Sequence, residues 1–358
     1  MKKDRKPFAL FVTDIHLTKD NGEIVKNIWR QCIKVCKENE VKKIICGGDI
    51  FTNRSGQPLS CLTDFKEMIK LTDGSGIRMS VIAGNHDKTD PDSKLSYLSI
   101  FDNYNYIHVH NVGGVELFSR KLEVAYIPYF TDEVWMKNYE RVMDIIDSQI
   151  TDRDLDVDAV KFLITHSGFD GVKNNDGTKV VSIIKPSMFK KDWNKVLIGH
   201  YHNASKLSDN VIYTGSLYQN NYGETINDKG ATLMFTDGSI EHVELDFPKY
   251  INIKLDVNDS EGIRDSIEKY KNSQDHIRFT FSGKKVDADK VDAVGLSKLG
   301  IETKFVAEET TEAMQSSESD DLMVYDKKTI LKHFSKFCAE NGIKGKNLKY
   351  GLNLIREL

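Results

Sequence analysis

Between residues 8 and 202, five short apolar runs each break off into a loop carrying aspartate, asparagine or histidine. These are FALFV before TDIH, KKIIC before GGDIF, MSVIA before GNHD, VKFL before ITHS and KVLI before GHYHN. A run of this length that stops at glycine or a polar residue reads as a strand buried on both faces. Helix-like segments around residues 24–39 and 60–71 separate the first three runs. The opening is therefore βαβαβ, and an α/β layered core is expected. Later runs (YIHVH, LEVAYIPY, VIYTGS, ATLMFTD, IEHVELD) crowd together with few helices between them, which predicts a second, more antiparallel sheet packed on the first. The basic MKKDRK before FALFV is only faintly leader-like, because the apolar run is short and ends at Asp14; it reads as a first strand.

The pattern changes at residue 248. INIKLDV, a polar helix over 261–272, HIRFTFSG, a short helix near 287–299 and IETKFVAE form a second, smaller βαβαβ unit. EETTEAMQSSESDD is acidic with little to bury and reads as a linker. Beyond it Ile330, Leu331, Phe334, Phe337 and Cys338 share a helical face, and Leu348, Leu352 and Ile355 start another. The expected divisions are 1–247 for the core, 248–307 for a small α/β capping or DNA-binding unit, 308–321 for the linker and 322–358 for a helical tail that docks a partner.

With 50 basic and 54 acidic side chains the net charge is -4, so nothing draws the chain as a whole to a polyanion. Nucleic-acid binding would need a local basic surface. No apolar stretch approaches the roughly 18 residues of a membrane span. The five cysteines contain no CxxC pair, which argues against a disulfide framework or a structural zinc site and for a reducing cytoplasm.

The loops that follow the five runs hold the chemistry. They carry Asp14, His16, Asp49, Asn85, His86, Asp87, His166, His200 and His202, five of the ten histidines among them. Ligands in α/β folds bind at that edge. Imidazole, carboxylate and amide oxygen without thiolate suit divalent ions of high coordination number. Two aspartates, one asparagine and four histidines, with His86 and Asp87 set aside, are more than one ion uses. They fit two ions about 3.5–4 Å apart that share one carboxylate. His86 is assigned to leaving-group protonation or transition-state charge, and Asp87 to orienting its imidazole. His108 and His110, two apart on one strand, read as surface residues, and Cys32 with Cys36 as core.

The order DIH, GGD, GNHD, ITH, GHYH resembles the calcineurin-type metallophosphoesterases. That resemblance implies a two-sheet metallophosphoesterase sandwich flanked by helices, here with a small α/β cap domain and a helical C-terminal tail. It implies that Asp14, His16, Asp49 and His202 hold one ion, that Asp49, Asn85, His166 and His200 hold the other, and that Asp49 bridges. GGDIF followed by Asn53 and Arg54, TGSLYQNNYGE after GHYH, and the appended unit with its tail resemble the SbcD-type DNA nuclease subunits of double-strand-break repair, phage-encoded forms included. The implied cofactors are two divalent ions, manganese before magnesium, iron or zinc. The implied partners are DNA, an SbcC-type SMC-like ATPase bound through the tail, and a second copy of the chain. A stand-alone phosphoesterase acting on small phosphodiesters or phosphoproteins is the alternative. Thr52 stands where many relatives of this branch carry histidine or aspartate.

Overall fold

The computed structural model describes residues 5–173 and 177–307, together with the helical residues Phe334 and Cys338. The chain divides into two compact units, residues 1–174 with 179–310 and residues 175–178 with 311–358. Every element named below belongs to the first. The stretches expected to be linker (308–321) and docking tail (322–358) lie outside the described residues, those two positions aside.

In chain order the elements are β1 (Pro7–Val12), α1 (Gly22–Glu38), β2 (Lys43–Cys46), α2 (Leu59–Asp73), β3 (Arg78–Ile82), β4 (Ile107–His110), β5 (Gly114–Ser119), β6 (Leu122–Ile127) and α3 (Asp132–Thr151). There follow β7 (Val160–His166), β8 (Lys195–Gly199), β9 (Ser205–Lys206), β10 (Val211–Tyr213), β11 (Ala231–Phe235) and β12 (Ile240–Val243). The small unit adds β13 (Tyr250–Asp256), α4 (Ser260–Tyr270), β14 (His276–Gly283), α5 (Ala293–Lys298) and β15 (Ile301–Ala307).

Two six-stranded sheets are formed, in the orders β12-β11-β1-β2-β3-β4 and β5-β6-β7-β8-β10-β9. Alternation along the strands explains their stacking. Ala9 and Phe11 of β1, with Ile45 and Ile82, meet Val124, Tyr126, Phe162, Ile164 and Leu197 of the other sheet in one apolar layer. Leu10 and Val12 point the opposite way, into the layer that holds Val25, Trp29, Cys32 and Cys36 of α1 and Phe65 and Met68 of α2. On the far side Ala125, Ile127 and Leu163 pack with Trp135, Val142 and Ile146 of α3. Burial on both faces is why these strands read as unbroken apolar runs, and each buried large side chain contributes about 1.5–3 kcal/mol.

Two expectations are corrected. The second sheet is no more antiparallel than the first: β6-β7, β7-β8 and β8-β10 run parallel and only the flanking pairs antiparallel. The 20-residue α3 provides the crossover between β6 and β7. Its polar first and last turns and its spread of charged residues mask a narrow stripe of Trp135, Val142 and Ile146. His110 is also no surface residue; it is buried and stacked on Tyr126 at 3.8 Å, with His108 stacked on its other side at 4.2 Å.

The small unit is a parallel sheet in the order β13-β14-β15. Ile277, Phe279, Phe281, Leu296 and Ile301 form its separate core. It meets the large sheets through Gln219, whose side chain accepts from the Tyr250 N–H (2.7 Å) and donates to the Tyr250 carbonyl (3.2 Å).

Candidate metal centre

β1, β2 and β3 run parallel in one sheet and β7 and β8 in the other, so all five motif loops leave from the same edge of the sandwich. Asp14 and His16 follow β1, Asp49 follows β2, Asn85 to Asp87 follow β3, His166 ends β7, and His200 and His202 follow β8. The first two loops are knitted together by Asp14 N–H to Gly48 O (3.0 Å), His16 N–H to Asp49 O (3.0 Å) and Leu17 N–H to Ile50 O (2.8 Å).

These loops are strained. Among the described residues, six that are not glycine have positive φ, and four of them are Asp14, His16, Asp49 and His200. Left-handed backbone at an ordinary residue costs on the order of 1–3 kcal/mol and persists where surrounding structure enforces it. The enforcement is visible at Gly84 and Gly48. A Cβ on Gly84 would collide with the Asp49 carboxylate, and Gly48, at φ +102°, lies against the His166 ring.

Two groups of ligand atoms result: Asp14, His16 and His202, and Asp49, His166 and His200. In the first, the Nε2 atoms of His16 and His202 lie 2.9 Å apart, and each is 3.9 Å from Asp14 Oδ1. In the second, Asp49 Oδ2 is 3.2 Å from His166 Nε2. The same Oδ2 is 3.7 Å from His16 Nε2 of the first group, so Asp49 faces both. The Asn85 amide oxygen points at His166 Nε2 (3.1 Å) and His200 Nδ1 (2.9 Å).

Tautomers test whether this set suits a cation. His166 donates Nδ1–H to the Gly47 carbonyl (2.9 Å), which turns its Nε2 toward Asp49 and Asn85. His202 Nδ1 lies 2.7 Å from Glu224 Oε1 and donates to that carboxylate, which turns its Nε2 lone pair toward His16. Ring nitrogens, carboxylate oxygens and an amide oxygen thus converge on the two groups. Rotating the Asn85 amide by half a turn would let its nitrogen donate to both imidazoles. A divalent ion satisfies the orientation as it stands, and the donor set fits.

The protonation tendencies agree. Burial, then the charge of His166, push His200 down to about 3, leaving it an open lone pair. Burial works against a charged His166, yet the Asp49 charge and hydrogen bond lift it to about 9, so without an ion a proton sits on Nε2 facing Asp49, and a bound cation would take that proton's place.

His86 lies beside this centre, outside both groups of ligand-type atoms. Its ring meets that of His16 edge-on at 5.0 Å, and its backbone N–H donates to Asp49 Oδ1 (2.8 Å). Its Nδ1–H is fixed by the Thr52 carbonyl, and its Nε2 accepts from the Arg54 guanidinium at 3.2 Å. Asp87 does not orient it, contrary to expectation. The Asp87 carboxylate is buried and accepts from the N–H groups of Gly84 (2.9 Å), Phe51 (3.0 Å) and Ile50 (3.2 Å), clamping the β2 and β3 loops together. Three backbone donors satisfy a carboxylate that would otherwise have no partner, whereas the adjacent imidazole points outward. Burial, then the neighbouring Asp49 charge, push Asp87 up to about 7.

Arg54 and Thr52 were visible in the sequence only as neighbours of GGDIF, and Glu224 only as the end of TGSLYQNNYGE. No periodicity marks them, because each acts through a loop. Tyr218, buried and hydrogen-bonded to Asn21, and Tyr222, packed under Arg278, belong to the structure of the loop after β10.

The calcineurin-like phosphoesterase family profile matches residues 9–204, which contain every ligand named above, and the chain belongs to that family. It is a metal-dependent phosphoester hydrolase. It is 22% identical over 264 residues to the candidate phosphoesterase 078R of Invertebrate iridescent virus 3, covering 71% of this chain and 68% of that one. It is likewise 22% identical over 265 residues to the candidate phosphoesterase 244L of Invertebrate iridescent virus 6, covering 70% and 86%. Nuclease MPE of Pseudomonas putida overlaps 66% of this chain and 87% of its own at 13% identity and a TM-score of 0.28, a likeness that carries no functional argument. Among the described residues no helix is long and apolar enough to cross a membrane.

Proposed function

We propose that the chain is a two-ion phosphodiesterase acting on DNA, the nuclease subunit of an SbcC/SbcD-like repair or recombination complex. The observation that carries the two-ion part is Asp49 Oδ2, placed 3.2 Å from one ligand group and 3.7 Å from the other. Asp14, Asp49, Asn85, His16, His166, His200 and His202 would hold the two ions, whose chemistry would be Lewis acidity toward the phosphate oxygens and a lowered pKa for bound water. Manganese is the proposed ion, with magnesium, iron and zinc as alternatives.

The chain's own residues supply the rest. Asp14, Asp49, Asn85 and the four ligand histidines fix the geometry, braced by strained backbone. Arg54 is exposed beside His86 and presents a planar fork to phosphate oxygens. A phosphate that draws Arg54 away frees His86 Nε2 to take up a proton from solvent and then donate it to the leaving oxygen, while the Thr52 carbonyl keeps the ring in place. The small parallel sheet, joined to the His202 side of the centre through Gln219, supports a large substrate over a small one. Docking of residues 322–358 on an SMC-like ATPase, assembly with a second copy and a cytoplasmic location complete the proposal.

The second reading, a stand-alone phosphoesterase for small diesters or phosphoproteins, is favoured by the family match, which covers phosphoesterases generally. Cleavage of single-stranded, frayed and blunt duplex DNA with manganese, alongside bis(p-nitrophenyl) phosphate and a phosphopeptide, separates the two. With a net charge of -4 the lone chain is expected to degrade single-stranded and frayed DNA at low salt and blunt duplex poorly. Rapid hydrolysis of the small diester with no DNA cleavage would establish the second reading instead.

A further inference from the structure

We propose that Glu224 is the positioning residue that holds His202 as a metal ligand, and that its carboxylate sets the affinity of one ion without touching it. This rests on the two-ion reading above. Glu224 lies on the loop after β10 and is buried. Its Oε1 lies 2.7 Å from His202 Nδ1 and also accepts from Asn221 Nδ2 (2.9 Å). Its Oε2 takes the Ser216 hydroxyl (3.3 Å), the Asn220 N–H (3.1 Å) and the Lys229 ammonium (3.2 Å). Four groups besides His202 therefore fix the carboxylate in place.

An imidazole whose Nδ1–H is held by a carboxylate presents Nε2 as a lone pair of raised basicity, and ligating histidines depend on such partners. The same loop grips the His202 carbonyl, which accepts from the Ser216 N–H (3.0 Å) and from Lys229 Nζ. Lys229 is fully buried, and Glu224 is the carboxylate nearest it. Removing the Glu224 charge thus has two effects of one sign: His202 loses its orientation, and a buried ammonium near the first ligand group loses its main counter-charge. The loop is braced from behind by Gln219, which donates to the Glu224 carbonyl (2.9 Å) and bonds Tyr250 of β13. No comparable carboxylate holds His166, whose Nδ1 partner is the Gly47 carbonyl. The effect should therefore fall on one ion only.

The test is calorimetric titration of the full chain with MnCl2, comparing the unmodified protein with Glu224→Gln and Glu224→Ala. His202→Ala and His200→Ala identify which binding step belongs to which group. The expected result is two steps in every Glu224 variant, the step lost in His202→Ala weakened 10–100-fold and the step lost in His200→Ala unchanged. Thermal melting of the metal-free proteins accompanies each titration. Unchanged affinities in Glu224→Gln, or equal weakening of both steps beside a lowered metal-free Tm, would overturn the proposal and leave Glu224 a brace of the loop. If the unmodified chain takes up fewer than two ions, the reading beneath it fails instead.

Discussion

Arg54 donates to His86 Nε2 at 3.2 Å, and the ring is held from its other side by the carbonyl of Thr52. This pairing makes the two residues separable from the ligands by mutation. Arg54→Ala should lower kcat for a phosphodiester by about 10²-fold, the cost of losing one donor to developing charge, with manganese affinity unchanged. His86→Ala should lose about 10²–10⁴-fold in turnover and likewise keep its ions. Calorimetry beside steady-state kinetics checks both, and loss of metal affinity in either variant would move that residue into the ligand set.

Asp87 should behave as part of the scaffold. Asp87→Ala leaves the N–H groups of Ile50, Phe51 and Gly84 without their acceptor in a buried place. Each orphaned donor costs about 1–3 kcal/mol, so denaturant unfolding of the metal-free protein should show a loss of several kcal/mol. His86→Ala should show little. A stable Asp87→Ala protein with only turnover impaired would restore Asp87 to a direct role in catalysis.

Glu123 gives the fold a pH dependence remote from the metal centre. It is fully buried on β6, and among the described residues neither carboxylate oxygen has a hydrogen-bond partner. Burial lifts it from 4.5 to about 7, against a smaller pull from Lys161. A carboxyl raised in the folded state binds its proton more tightly there than when unfolded. Its favourable contribution is complete below pH 4.5 and is lost as pH rises through about 7. The loss is on the order of 3 kcal/mol. Glu123→Gln should remove that slope, so the variant gains stability relative to the parent between pH 5 and 8. Parallel stability–pH curves would show that the carboxylate finds water or a partner.

The strands and the residues that cluster at their ends were legible because one physical cause writes both. A strand buried on two faces must be apolar throughout, and the loop at its end must turn and bind, so FALFV-TDIH or KVLI-GHYHN announces its role. What was hidden lies where a role depends on distant partners. The stripe of α3 is thin, so its crossover went unseen and the second sheet looked too antiparallel. Asp87 sits next to His86 in sequence yet serves backbone donors across the β2 loop. Glu224 reaches His202 over 22 positions of irregular chain, and no spacing rule joins them.

The central claim is that Asp49 is shared by two ions. Manganese titration of Asp49→Ala against the unmodified chain, with phosphodiester hydrolysis measured on the same samples, tests it most directly. Two ions per chain are expected in the parent, with weakening of both steps in Asp49→Ala and near-complete loss of hydrolysis. Asn85→Ala, by contrast, should disturb only one step. A parent that binds a single ion, or an Asp49→Ala protein that keeps one of two steps at full affinity, would contradict it.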